Sequence, residues 1–173
     1  MKVSVETSDV QIVRKLFSCI DLKKFNVNFK HYDNDCNNYK ELLHFLKVLW
    51  ADNSIEVNVL NNIIMQPQRL YDENIIVDRD YNIYKTLFNN KNYLPDVIIL
   101  LYDENTEFIE NFLNDPLFEK KVYKIQLEKD TLDNTVYNMK NVLSDIYLNI
   151  NDDTLNFRYF EQCYSNYKSI DDK

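Results

Sequence analysis

The sequence predicts a single α/β domain of three layers, a parallel five-stranded sheet with helices on both faces. Three observations lead there. Strand-like segments alternate with segments of helical spacing five times along the chain, the pattern of a sheet built from right-handed crossovers. The run Val97-Ile98-Ile99-Leu100-Leu101 is apolar without a break, as expected of a parallel strand covered on both faces. A chain of 173 residues with a 45% hydrophobic fraction is long enough for one proper core, since a domain of that size hides roughly 70% of its unfolded surface.

The elements follow in order. Met1 to Val5 alternates as a short strand, and Ser8 or Asp9 is placed to cap a helix in which Val10, Val13, Phe17 and Ile20 recur at helical spacing. Phe25 to Phe29 alternates as a second strand, and Tyr32 to Asn38 is polar and loop-like. From Tyr39 a second helix carries a broad apolar face of Leu42, Leu43, Phe45, Leu46, Leu49 and Trp50. Ile55, Val57, Leu60, Ile63 and Ile64 form a third helical pattern bounded by Pro67. Asn74 to Asp78 reads as a strand and is followed by a helix through Tyr84, Leu87 and Phe88. Pro95 precedes the strand Asp96 to Leu101. Asn105 or Thr106 starts a helix with Phe108, Ile109, Phe112 and Leu113; Val122 to Leu127 is the last strand and Thr131 to Ile150 the last long helix. Residues 1–150 are expected to form the domain. Residues 151–173 are expected to be a polar and aromatic tail, packed on it or trailing from it, with Phe157, Tyr159 and Phe160 as docking side chains.

Composition removes several classes of function. There is no glycine, where average usage of about 7% would supply roughly a dozen. A Walker phosphate loop, a G-x-G-x-x-G dinucleotide motif and a G-x-S-x-G nucleophile elbow are therefore all absent. The 24 Asn and 15 Ile point to AT-biased coding. A net charge of −8 disfavours nucleic acid as a partner, because a phosphate-backbone binder needs a basic face. Cys19, Cys36 and Cys163 show no C-x-x-C spacing, so reduced thiols are expected and neither a disulfide scaffold nor a zinc site. No signal-peptide core and no apolar run of membrane length occurs, and the expected location is the cytoplasm.

Three segments carry a family resemblance. Asn74-Ile75-Ile76-Val77-Asp78-Arg79 followed by a helix, and then Leu94-Pro95-Asp96 leading into Val97 to Leu101, resemble the thymidylate kinase family, where one strand ends in Asp-Arg and the next begins Pro-Asp. Leu49-Trp50-Ala51-Asp52-Asn53, taken as running into a helix, resembles the family's Leu-Phe-(Ser/Cys)-Ala-Asn-Arg segment. The resemblance spans residues 1–150 in order and implies a P-loop-kinase-like fold. Large DNA viruses such as poxviruses carry members of this family, and the AT-rich composition suits such a source, with the host cytoplasm as its location.

The same resemblance implies that the kinase chemistry is gone. The family's first strand ends in Glu, matched by Glu6, but Thr7 to Val13 supplies neither the glycines nor the lysine of the phosphate loop. The arginine that would hold the monophosphate falls on Asn53, and the lid corresponds to Glu110 to Pro116, without arginine. The vestigial nucleotide-site candidates are thus Glu6, Asn53, Asp78 and Arg79, with any nucleotide bound weakly, and no cofactor and no metal are expected. Asp78-Arg79-Asp80 is either a remnant monophosphate site or a helix start in which Asp78 caps and Arg79 pairs with Asp80. His31 and His44 have no Asp or Cys partner spaced for a triad or a metal, and the acidic clusters at 33–35, 72–73 and 152–153 read as solvated surface. Family members dimerise through helices packed face to face, so Leu42, Phe45, Leu46, Leu49, Trp50, Leu60 and Ile64 are the interface candidates. The expected role is that of a catalytically inactive kinase-like protein acting through a protein partner or a homodimer, as a viral accessory or host-defence-countering factor; the alternative is a nucleoside- or nucleotide-binding module without phosphoryl transfer.

Overall fold

The structure is a computed structural model that describes residues 1–30, 38–50, 53–88, 93–114 and 121–148, with the side chains of Tyr39, Leu42, Leu87, Phe88 and Phe108 outside the described set. The expected tail at 151–173, the loop from Tyr32, the clusters at 33–35 and 152–153, His31, Cys36, Cys163, Ala51, Asp52, Asp115 and Pro116 lie outside the described residues.

Five strands form one all-parallel sheet: β1 (Val3–Glu6), β2 (Asn28–Lys30), β3 (Ser54–Val57), β4 (Val97–Tyr102) and β5 (Lys121–Gln126), in the order β2-β3-β1-β4-β5. Register fixes which side chains share a face, because successive residues of a strand point to opposite sides. Val3 lies opposite Ile55 and Val97, and Val5 opposite Val57 and Ile99. These valines and isoleucines pack against Val13, Leu16 and Phe17 of α1 (Val10–Ser18) and Met139, Val142, Leu143 and Ile146 of α6 (Asp133–Tyr147). On the second face, Ile98 and Leu100 meet Leu60 and Leu113. There α2 (Tyr39–Val48), α3 (Gln66–Asp72) and α4 (Asp78–Phe88) share a cluster built on Phe45, Leu46, Ile63, Leu70 and Tyr84, and α5 (Glu107–Leu113) completes the layer. The three-layer α/β class expected from the sequence is the observed one.

Three expected elements differ. Of the strand expected over Phe25 to Phe29, Phe25 ends a 3-10 turn, Asn26 is left-handed at φ 54°, and β2 begins only at Asn28. Residues 74–77 do not form a strand. Asn74 adopts the left-handed conformation at φ 58°, and the Ile75 amide donates back to the Leu70 carbonyl at 2.8 Å, so this stretch closes α3 as a helix C-terminus. Its apolar alternation is real, with Ile76 buried and Ile75 and Val77 exposed, but it serves a helix connection. The third strand is β3 instead, so Asn53 leads into a strand, whereas a helix was expected after it. The helical run begins only at residue 59 and continues to Asp72 through a π-helical turn, Asn61–Met65. Pro67 therefore lies inside a helix and does not bound one. The π turn, in which the Gln66 amide donates to the Asn61 carbonyl, places the bonding irregularity directly before the residue that has no amide to give.

Asparagine does the work usually left to glycine. The left-handed positions among the described residues are Asn26, Trp50, Asn58 and Asn74, and Asn tolerates that region better than other residues with a Cβ. Part of the high asparagine content is thus structural.

The interface candidates are core. Phe45, Leu46, Leu49 and Leu60 are buried within the chain, Trp50 and Ile64 are half-buried against the same clusters, and the Leu42 side chain lies outside the described residues. On α2 the apolar residues Phe45, Leu46 and Leu49 are packed against the helical run and α4. The Trp50 indole N–H is further tied to the Tyr93 carbonyl at 3.0 Å.

Candidate site at the carboxyl edge of the sheet

In open α/β sheets a crevice forms outside the carboxyl ends of the strands wherever neighbouring strands send their connections to opposite faces. Here that point is the β1–β3 pair. The chain leaving β1 enters α1 on the first face, and the chain leaving β3 enters the 59–72 helical run on the second. Both helical segments direct unsatisfied amides toward this edge, which makes it the place for an anion.

Both sets of amides are already taken by carboxylates of the chain. Asp9 caps α1, accepting from the amides of Gln11 at 3.1 Å and Ile12 at 3.2 Å. The Thr7 hydroxyl accepts from the Asp9 amide at 3.1 Å and fixes the turn. Glu6, the last residue of β1 and fully buried, accepts from the Leu60 amide at 3.0 Å through Oε1. Asn58 then closes the gap between the two loops: its Oδ1 accepts from the Thr7 amide at 2.8 Å, and its own amide donates to the Val5 carbonyl at 2.9 Å. On the other flank of β1, the Ser8 hydroxyl donates to Asp103 at the end of β4, and Lys129 beyond β5 reaches the same carboxylate at 3.4 Å. The crevice is laced shut by the chain's own polar groups.

Beneath it lies a repeated Ser-x-Glu pattern that the sequence reading missed. Ser4 and Glu6 on β1, and Ser54 and Glu56 on β3, share the second face of the sheet, and all four are buried. Each serine donates to the glutamate two residues on, at 3.0 Å for Ser4 to Glu6 and 2.8 Å for Ser54 to Glu56. The signal was the same tripeptide form at 4–6 and 54–56, where a spacing of two fixes a common face. Burial pushes the Glu6 carboxyl from its ordinary value of 4.5 up to about 7, against the opposing pull of the Leu60 amide, the Ser4 hydroxyl and the amides of Asn61 and Val59. Its Oε2 makes no hydrogen bond among the described residues.

The predicted site residues do not converge. Glu6 lies at the carboxyl edge. Asn53 lies at the amino edge, before β3, exposed and donating to the Asn26 carbonyl at 2.7 Å. Asp78 opens α4 and accepts from the Tyr71 hydroxyl at 2.6 Å, which raises the tyrosine's pKa through that bond and the adjacent charge. The Arg79 side chain is 87% exposed, with Asp80 at 3.8 Å. Of the helix-start reading of Asp78-Arg79-Asp80, the pairing of Arg79 with Asp80 is observed, whereas Asp78 is the first residue of α4 and its carboxylate is engaged by Tyr71. Glu110, in the segment matched to the lid, is bound to Lys124 at 3.0 Å. Asp72 and Glu73 are engaged by Gln68 and Arg69.

A third buried acid, Asp145 of α6, accepts from the Tyr123 hydroxyl and pairs with Lys121 at 3.3 Å, joining α6 to β5. Among the described residues no group of three or more His, Cys, Asp or Glu side chains is placed to hold a metal ion, and no helix is long and apolar enough to cross a membrane. No protein-family model, no curated protein and no solved structure matches the chain.

Proposed function

We propose that the protein is a nucleotide-kinase-like α/β domain that transfers no phosphoryl group and acts by contact with protein, either a second copy or a different partner, as an accessory or host-defence-countering factor of a large DNA virus. The observation that carries the first half is the pair of internal carboxylates, Asp9 and Glu6, seated on the helix starts where a phosphate would be received. A nucleotide phosphate brought to this edge meets the Asp9 carboxylate and, at both helix starts, amides that already have acceptors.

The contact surface falls to apolar side chains that remain outside the core. Val77 is 64% exposed and Ile75 47%, both in the α3–α4 connection, with Ile83 on α4. A coupled assay with ATP and thymidylate tests the chemistry, and the expected trace is flat at high enzyme concentration. Sedimentation equilibrium tests the contact. Association that Val77→Glu abolishes without changing the melting temperature supports it, and a strict monomer that retains no partner overturns it.

A further inference from the structure

We propose that Glu6 is a proton-controlled latch on the start of the 59–72 helical run: the neutral carboxyl keeps the run seated on the sheet, and its ionisation releases the first turn and opens the edge that Asn58 closes. The geometry is a fully buried carboxyl with one oxygen on the Leu60 amide and the Ser4 hydroxyl, and the other without a hydrogen bond among the described residues. An ionised carboxylate so placed has lost its water and regained only part of what it lost, whereas the neutral acid is far less costly to bury. The upward shift of its pKa agrees in direction.

Among the described residues the charged groups around it do not supply a counter-ion. On β3 the neighbouring titratable group is Glu56, another buried acid, held by Ser54. On its own loop Asp9 is committed to the α1 amides. Beyond β4 Asp103 is shared between Ser8 and Lys129. From β4 the residue in register is Leu100, and on α5 Glu110 is bound by Lys124. The nearest charged residues of the helical run, Arg69 and Asp72, lie more than two turns past Leu60. Burial alone makes ionisation of Glu6 harder, and the contacts that favour it are dipoles: the Leu60, Asn61 and Val59 amides and the Ser4 hydroxyl. When the first turn lifts, Glu6 reaches water and releases its proton, so opening is linked to pH.

Amide hydrogen exchange in the full chain tests the latch. After correction for the intrinsic exchange rate, the opening constant read at Leu60, Asn61 and Asn62 should rise with pH between 4.5 and 7, by about 40-fold from pH 5 to pH 7. Glu6→Gln keeps an acceptor oxygen but cannot ionise, so its opening constant should stay flat across that range, while Glu56→Gln should keep the wild-type slope. Equal slopes in wild type and Glu6→Gln overturn the proposal. If Glu6→Gln does not fold, the carboxyl carbon shift of Glu6 in the wild-type protein decides: a titration midpoint near 7 supports the latch, and one near 4.5 overturns it.

Discussion

Asp9→Ala probes the claim that a carboxylate of the chain occupies an anion position. The substitution removes the acceptor of two amides, Gln11 at 3.1 Å and Ile12 at 3.2 Å, at the start of α1. Loss of an N-cap of this kind costs about 1 kcal/mol and up to about 2. Loss of the negative charge beside the helix dipole adds about 0.3–1 kcal/mol. The total, about 1.5–3 kcal/mol, lowers the melting temperature by roughly 3–10 °C in a chain of this size. Asp9→Asn keeps the acceptor and should lose only the charge contribution, about 0.3–1 kcal/mol. Thermal unfolding by circular dichroism, with and without inorganic phosphate, is the assay. Phosphate should restore stability to Asp9→Ala and not to the wild type, by about 1.4 kcal/mol at ten times its Kd. An Asp9→Ala protein that melts with the wild type, or phosphate that raises both equally, refutes the reasoning.

Four further outcomes are expected. Global stability should fall as pH rises from 4.5 to 7, because the folded protein holds the Glu6 proton that the unfolded chain has released; urea unfolding should show a loss of about 3 kcal/mol across that window, and Glu6→Gln should remove most of it. Phe45→Ala, at a side chain 2% exposed, should cost about 3–5 kcal/mol in the same measurement and leave the sedimentation coefficient unchanged, as befits core. Tyr123→Phe should cost about 1–3 kcal/mol, since buried Asp145 then keeps only Lys121. Arg79→Ala should change stability by less than about 0.5 kcal/mol.

The sheet was legible where the pattern had one physical reading. The unbroken run from Val97 could only be a strand covered on both faces or a helix too short to matter, and its five apolar residues decided for the strand. Cap chemistry located α1, since Asp9 offers a side-chain acceptor just before the first helical residue; α2 was located by its apolar spacing, and its cap, Asn38, reads as loop in the sequence. The third strand was misplaced because Ile55 and Val57 continue at helical spacing into Leu60 and Ile63, and nothing in that spacing announces that Asn58 turns left-handed between them. Asn74 misled in the same way: in a chain without glycine, asparagine ends helices, and the alternation of Ile75, Ile76 and Val77 then imitated a strand. The burial of Phe45, Leu46, Leu49 and Leu60 was hidden for a different reason. A broad apolar face on α2 says that something covers it, and only the tertiary fold says that the cover is the chain's own helices. Glu6 was legible as a strand-end acid but its partner Leu60, 54 positions away, was not.

Whether the carboxyl edge of the sheet receives phosphate is tested most directly by the melting temperature of the wild-type protein against ATP, thymidine, thymidylate and Mg²⁺. Saturation at 100 times a Kd would add about 2.7 kcal/mol and move the transition by several degrees. The account predicts no shift with any of them. A shift with ATP, or with thymidylate beyond that with thymidine, would mean that a phosphate is bound and would contradict it.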